Sequence, residues 1–245
     1  MKMFFSLNTK VIKCVVCKQT ISGEYTIDSW GNTAHKSHNS RPTEFCNSCY
    51  RVIEESPIFK SKALLDGRKL CFQCSLTKVE SLAIAQKSFK EIKEIYSKFK
   101  LLNIPDGVKL QLVSLPEMKG VAKTTSNSIR GLTTTQYTVL MNQRKYAYSI
   151  YVLNSLPKLE FEAVLAHEML HVFLIQNSIT LPHHKMEGFC NLGSYLIYAR
   201  DKSKHGQVML AHMEKNPDHA YGVTFREMKS ILLKFGWREL IQKIK

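Results

Sequence analysis

The chain has 245 residues and an apolar fraction of 44%, which suit one large globular domain or two smaller ones. No run approaches the roughly 18 apolar residues of a transmembrane helix, and polar residues interrupt the short apolar start before it reaches the length of a signal-peptide core, so we expect a soluble, cytoplasmic protein with no membrane partner. The formal net charge of +15 favours acidic partners, nucleic acid among them, unless it reflects only a lysine-rich solvated surface.

Three Cys-x-x-Cys pairs and one His-x-x-His pair lie between residues 10 and 78. Without a secretion signal this pattern indicates metal binding rather than disulfides, and a redox motif would be expected singly. Eight ligands make two closed tetrahedral sites, whose binding energy contributes to the folding of a segment with a small core. The sequential assignment is Cys14, Cys17, His35 and His38 for structural zinc 1, and Cys46, Cys49, Cys71 and Cys74 for structural zinc 2.

The order of these pairs resembles that of a LIM domain, a double zinc finger used mainly for protein–protein contacts, and this implies a protein partner for the module. Two features depart from the LIM pattern. His38 stands where LIM domains more often have cysteine, and the gap from His38 to Cys46 is longer than usual. A single zinc ribbon made of Cys14, Cys17, Cys46 and Cys49 therefore stays open as an alternative.

An amphipathic helix is predicted from about Val79 to Leu102, within a connecting segment of residues 79–104. Apolar residues recur there at spacings of three and four, and Ile104-Pro105 ends the pattern. Beyond it, alternating or β-branched stretches predict strands and a polar stretch predicts a loop. The strands are Val108–Val113, Thr133–Met141 and Tyr146–Leu153, and the loop is Met118–Ser128.

A His-Glu-x-x-His signature follows at His167-Glu168-Met169-Leu170-His171. Residues four apart lie on one face of a helix, so His167 and His171 can hold one Zn²⁺ together, while Glu168 is placed to accept a proton from zinc-activated water. Glu187 would be the third ligand, and three protein ligands leave the fourth position open, as in catalytic zinc sites. The alternative is an ordinary helix with surface histidines. The nearly all-apolar flanks disfavour it, because buried His and Glu need partners.

Strands followed by such a helix match the zincin plan, in which a small sheet lies against the active-site helix and an edge strand pairs with an extended substrate. Tyr148–Val152 is one candidate strand of that sheet, whether central or at the edge.

Further candidates surround Glu187. Gly188 and Gly193 would let this helix approach the preceding one closely, and Cys190 is expected to be a small core residue. Asn191 lies one helical turn after Glu187 and is placed to orient a ligand. Candidates for a second oxyanion donor are Tyr195, His212 and His219, although packing or surface roles are the simpler expectation. A further amphipathic helix from Phe225 is predicted to end near Gly236.

Several segments resemble the plant LIM-domain peptidases that limit seed and organ size. The segments are Arg130–Leu132, Val152–Leu159, Leu165–His171, Glu187–Cys190, Tyr221–Arg226 and Phe235-Gly236. The resemblance implies a gluzincin-type zinc endopeptidase acting on intracellular proteins, with His167, His171 and Glu187 as ligands and Glu168 as general base. Members of that family carry ubiquitin-interacting helices before the LIM module. Few residues precede Cys14 here and no acidic helical motif occurs, so we expect a minimal relative without those motifs.

Together these patterns predict an α+β protein with a LIM-like double-zinc module (10–78), a connecting amphipathic helix (79–104) and a zincin-like metallopeptidase domain (105–245). The expected cofactors are three Zn²⁺ ions, one catalytic and two structural, and the expected substrates are proteins. Two alternatives remain: a zinc-finger protein that binds protein or nucleic acid, and a scaffold with an inert peptidase-like domain. No base-reading helix is recognisable, which disfavours nucleic acid. An intact Glu168 disfavours the inert scaffold.

Overall fold

The computed structural model describes residues 11–54, 56, 58, 60–99, 102–141 and 143–245. They form a mixed α and β protein that divides into two compact units, Met1–Ser75 and Leu76–Lys245. Residue 10 of the predicted zinc module and residues 100–101 of the predicted connecting helix lie outside the described residues. Within the described ranges, no helix has the length and apolar character needed to cross a membrane.

Short antiparallel strand pairs build the first unit. The pairs are β1 (Tyr25–Ile27) with β2 (Thr33–His35), β3 (Ser37–His38) with β4 (Arg41–Pro42), and β5 (Lys62–Ala63) with β6 (Lys69–Leu70), followed by helix α1 (Phe72–Leu76). Among the described residues, cysteines make up half of the buried side chains in its two small apolar clusters. Elements this short bury too little apolar surface to hold themselves together, so cross-links must contribute to their stability.

A three-stranded sheet positions the second unit's helices. Its order is β8 (Lys109–Val113), β10 (Gln143–Leu153) and β9 (Gly131–Leu140). The central strand β10 runs parallel to β8 and forms an antiparallel hairpin with β9, in which Val152 is opposite Gly131. Tyr148–Val152 therefore belongs to the central strand, and β9 is an edge strand. A small ladder joins β7 (Lys78–Val79) to β11 (Leu156–Pro157).

Helices cover this sheet and build the core of the second unit. They are α2 (Leu82–Ser97), α3 (Leu115–Ala122), α4 (Lys158–Gln176), α5 (His183–Arg200), α6 (Lys204–Lys215) and α7 (Phe225–Ile244), with a π-helical turn at His219–Thr224. The helix α4 is buried on most of its circumference, as its apolar flanks predict. It packs against α5 so closely that a Cβ on Gly193 would lie 2.5 Å from the carbonyl oxygen of Ala166. The close approach to α4 predicted for Gly193 is present, whereas Gly188 lies against Thr224 of the π-helical turn instead.

Two predicted elements differ from the structure. The connecting helix was predicted too long, because Val79 pairs with Leu156 in a β-ladder and Leu102 is buried outside the helix. The predicted loop Met118–Ser128 is wrong over its first part, because α3 extends to Ala122. A capping box starts α3: the Ser114 hydroxyl accepts from the backbone N–H of Glu117, whose carboxylate accepts from the backbone N–H of Ser114.

The helix predicted from Phe225 breaks at Gly236, near which the sequence predicted its end. Gly236 adopts φ 80°, a left-handed conformation that favours glycine. A second helical stretch, not predicted from the sequence, continues from there to Ile244 and buries Trp237, Leu240 and Ile241.

Candidate active site and metal centres

The first four-residue cluster of unit 1 joins Cys14, Cys17, His35 and His38, whose ligand atoms all lie within 4.8 Å of one another. The Cys14 sulfur is 3.1 Å from Nε2 of His38, and the Cys17 sulfur is 3.5 Å from Nδ1 of His35. Burial raises the pKa of Cys14, but hydrogen bonds to the backbone of Cys17 and His35 and to the His38 ring outweigh it and bring the pKa to about 6. A thiolate, the form that binds metal, is thus favoured near neutral pH.

The second cluster joins four buried cysteines, Cys46, Cys49, Cys71 and Cys74, again within 4.8 Å. None forms a disulfide, and the sulfurs of Cys49 and Cys71 are 3.7 Å apart. Hydrogen bonds with Cys49, Cys71 and Cys74 lower the pKa of Cys46, while hydrogen bonds with Cys46, Cys49 and Cys71 raise that of Cys74. Four sulfurs this close cannot all be thiolates without a cation between them, so the residues present fit a tetrahedral Zn²⁺. The grouping follows the sequential assignment, and both clusters are of LIM type.

The candidate active site lies where α4 meets α5. The Nε2 atoms of His167 and His171 are 3.1 Å apart. The Glu187 carboxylate reaches both, with Oε2 3.2 Å from Nε2 of His167 and Oε1 3.7 Å from Nε2 of His171. The structure therefore brings the three predicted ligands of the catalytic zinc together. Two imidazole nitrogens and one carboxylate, converging in a mostly buried place, are a donor set that suits Zn²⁺.

Burial and neighbouring charges shift the pKa values of the three predicted ligands in different directions. Burial lowers the pKa of His167, but its hydrogen bond to Glu187 and the nearby carboxylates raise it above the usual value overall. Burial, together with the charge on His167, brings the pKa of His171 down to about 4. Burial raises the pKa of Glu187, but the hydrogen bond with His167 lowers it overall. Glu187 is thus held as a carboxylate, and His171 as a neutral imidazole.

Asn191 makes the contact expected of a ligand-orienting residue. Its Oδ1 is 3.0 Å from Nδ1 of His167, and its side-chain amide donates to the carbonyl oxygen of Tyr221 at 3.0 Å. An amide fixed in this way accepts from Nδ1–H of His167 and holds the ring so that Nε2 faces the Glu187 carboxylate.

The edge strand β9 supports Glu168. The hydroxyl of Thr133 lies 2.8 Å from Oε2 of Glu168 and 3.0 Å from its carbonyl oxygen. Gly131 passes so close that a Cβ there would lie 2.6 Å from Oε1 of Glu168. Burial raises the pKa of Glu168, although the Thr133 hydrogen bond opposes the shift. Thr133 was not among the predicted site residues. The only sequence feature that points to its contact with Glu168 is its position two residues after Gly131, on the same face of a strand.

Tyr221, also missed as a donor, faces the predicted ligands from the π-helical turn. Its ring lies 6.4 Å from that of His167, centroid to centroid, and its hydroxyl hydrogen-bonds the Glu187 carboxylate. Burial and Glu187 raise the pKa of this hydroxyl, so it stays a proton donor. The only sequence signal was its place at the start of the resembling segment Tyr221–Arg226.

The three predicted oxyanion candidates lie in other surroundings. Tyr195 packs against Phe225, with ring centroids 6.1 Å apart, and His219 packs against His184 at 4.9 Å. His212 lies on α6. The exposed His183 lies close to a predicted ligand: its Nε2 is 3.7 Å from Oε1 of Glu187.

Cys190 is buried, as expected of a core residue, although its ligand atom also lies within 4.8 Å of those of His167 and His171. Burial and the Glu187 charge raise its pKa well above the usual value and keep it a thiol.

Comparison with known proteins finds plant relatives. A family model described as DA1-like, Protein DA1, matches residues 110–199, a range that holds the sheet, α4 and nearly all of α5. Protein DA1-related 1 of Arabidopsis thaliana is 24% identical over 95% of this chain and 54% of its own length. Protein DA1-related 2 of the same plant is 26% identical over 75% of this chain and 41% of its own. The LIM domain-containing protein HDR3 of Oryza sativa subsp. japonica is 22% identical over 95% of this chain and 60% of its own length.

The chain thus spans about half the length of the curated relatives it matches. No solved structure matches it at comparable significance. The matches confirm the family resemblance predicted from the sequence.

Proposed function

Since the chain is a relative of the DA1 family with LIM-type zinc sites, we propose that it is a zinc-dependent endopeptidase that hydrolyses peptide bonds of intracellular proteins. The observation that carries the proposal is the convergence of His167, His171 and Glu187, with the buried carboxylate of Glu168 on the same helix. A zincin-like fold for residues 105–245 and a LIM-like partner-binding module at residues 10–78 belong to this proposal.

The general base of the proposed reaction is Glu168. When bound by the two histidines and Glu187, zinc supplies Lewis acidity towards a water molecule and the carbonyl group of the scissile peptide. Glu168 accepts the proton of the attacking water and later returns one to the leaving amine. The raised pKa of Glu168 makes it a stronger base and brings its pKa nearer to neutrality, where one group can both accept a proton and return it. Thr133 holds the carboxylate in one orientation through its hydrogen bond.

Tyr221 is the side chain that we assign to the developing oxyanion. Its hydroxyl is protonated and hydrogen-bonds Glu187, and its ring is held beside His167. A preorganised donor at this position would stabilise negative charge that forms on the substrate oxygen. His183 is the second donor within reach of Glu187, but its side chain is 72% exposed and so is less well fixed.

The edge strand β9 is the surface that we expect an extended substrate to follow. It lies at the outer side of the sheet, and its Gly131 and Thr133 touch Glu168. A peptide added to β9 would form main-chain hydrogen bonds there, and its scissile bond would lie near the general base.

The test compares the zinc-loaded parent with Glu168→Gln. This change keeps the metal ligands and removes the base. Both proteins are incubated with cytosolic extract, and all new N-termini are sequenced. We expect new termini from the parent only. Glu162→Gln is the matched control on the same helix, where the carboxylate accepts from Ser88 instead, and it should cleave as the parent does. Equal termini from the parent and Glu168→Gln, with equal zinc content, would contradict the proposal and favour a zinc-stabilised binding protein.

A further inference from the structure

An apolar groove of about 730 Å³ opens on the second unit, away from the described site residues. Its walls come from the segment after α2, the last turns of α5, and the place where α7 breaks at Gly236. On either side of the break, two aromatic residues differ in burial. Trp237 is buried, 7% exposed, and packs against Phe99 and Phe189, with ring centroids 5.5 and 6.1 Å apart. Phe235 instead stands at the lip, 47% exposed.

Two large apolar side chains at the groove are exposed: Leu233, at 65%, lies two residues before Phe235. Leu196 and Tyr195, which are partly buried, and the buried Leu232 line the groove beside them. Contiguous exposed apolar residues of this kind are rare on a surface that binds nothing, because their hydration is unfavourable.

Every charged side chain that lines the groove is a cation: Lys98, Arg200 and Arg238. All three are exposed, and across the residues that the structure describes none of them forms an ion pair. Two more lysines, Lys234 and Lys243, lie 5.0 and 5.2 Å from the ring centre of Phe235. A ligand for this surface must therefore combine apolar groups with several negative charges.

We propose that this groove docks an acidic amphipathic helix of a partner protein. The apolar face of the helix would cover Trp237, Leu233 and Phe235, and its carboxylates would pair with the cations at the rim. Three lining cations, with Lys234 and Lys243 close by, match a ligand that carries several carboxylates. The net charge of +15 would speed the encounter with such a partner.

The groove and the candidate active site share α5. Tyr195 lies eight residues after Glu187, roughly 12 Å along the helix axis at 1.5 Å per residue. A partner docked here would therefore be held near the proposed catalytic site without occupying it. The docking itself does not depend on the proposed peptidase activity, so it can be tested by binding alone.

The probe is a synthetic, fluorescently labelled helical peptide with leucine on one face and glutamate on the other. Its control carries lysine in place of every glutamate. Fluorescence anisotropy with the full chain should show saturable binding of the glutamate peptide only, weakened by added salt. Equal binding of both peptides, or binding of neither, would overturn the proposal.

Two sets of variants place the binding site. Reversing two rim charges in Arg200→Glu/Arg238→Glu should weaken binding about tenfold or more, because two favourable pairs become repulsive. Leu233→Asp, at an exposed position, should weaken it as well. The control Lys204→Glu/Lys215→Glu reverses two exposed lysines on α6, outside the groove, and so changes the net charge by the same amount; it should have a much smaller effect.

The decisive comparisons use the same variants. A rim double reversal that binds as well as Lys204→Glu/Lys215→Glu would overturn the proposal, because net charge alone would then explain the affinity. Phosphatidylserine vesicles are the second probe. Vesicle binding that Arg200→Glu/Arg238→Glu abolishes, with no peptide binding, would overturn it in favour of a lipid surface. Circular dichroism of each variant checks that the fold is kept.

Discussion

Replacing Gly193 with alanine sets two physical effects against each other at the contact between α4 and α5. Alanine favours the helix by about 1 kcal/mol relative to glycine, which alone would stabilise the protein. The added Cβ, however, would lie 2.5 Å from the carbonyl oxygen of Ala166 and 2.6 Å from the hydroxyl of Tyr96. Tyr96 is fully buried, and this hydroxyl donates to the same carbonyl at 2.7 Å. The methyl group therefore both overpacks the contact between the helices and displaces a buried hydrogen bond.

The unfavourable terms are the larger ones. Overpacking a dense core costs about 1–3 kcal/mol, and leaving the buried hydroxyl of Tyr96 without its acceptor costs about 1–3 kcal/mol more. After the gain in helix propensity, we expect Gly193→Ala to lower the free energy of unfolding by about 1–5 kcal/mol. Because α4 carries His167 and α5 carries Glu187, the same displacement should also weaken zinc binding at the candidate active site.

Urea denaturation, followed through the fluorescence of the buried Trp237, measures the change in the second unit. Gly120→Ala is the matched control, because Gly120 lies in α3 and a Cβ there would meet nothing within 4 Å. It should leave stability unchanged or raise it by up to about 1 kcal/mol. If Gly193→Ala proves as stable as the parent, or more stable, the close contact between α4 and α5 is not as described.

Three further changes test the sites. Thr133→Val removes a hydrogen bond that lowers the pKa of Glu168; because Glu168 acts as a carboxylate, the acid limb of kcat/KM should move to higher pH in a pH–rate profile. Asn191→Ala frees Nδ1 of His167 and should weaken zinc binding about 10- to 100-fold in a chelator competition. Cys71→Ser removes one ligand of a closed site, and metal analysis should find one zinc fewer per chain.

Each of these changes has a control on the same chain. Thr134→Val alters the neighbouring residue on the opposite face of β9 and should leave the acid limb in place. Asn191→Asp keeps an oxygen acceptor and should retain most of the zinc affinity lost in Asn191→Ala. Cys190→Ala removes a buried cysteine outside the two clusters of unit 1 and should keep the parent zinc content. Equal behaviour of a variant and the parent would contradict the role assigned to that residue.

Local patterns predicted most of the helices and strands. Within each site, they predicted which ligands are neighbours along one helix or one turn. The spacing of His167 and His171 places both on one face of any α-helix, and each Cys-x-x-Cys pair brings two sulfurs together within one turn. Alternation predicted the three strands of the sheet within a few residues. The start of α3 also has a signal in the sequence, because Ser114 and Glu117 form a capping box, although the polar residues of Met118–Ser128 predict a loop.

The remaining contacts depend on how distant segments pack. Glu187 meets the two histidines only because glycine lets α5 approach α4, and Thr133 meets Glu168 only because the β9–β10 register puts it opposite Ile150. The choice of β9 as edge strand and the position of Tyr221 likewise follow from tertiary packing. Helix and strand periodicities repeat over a few residues, so the sequence by itself determines them. Register and helix crossing are set by burial across the whole unit, and only the tertiary structure decides them.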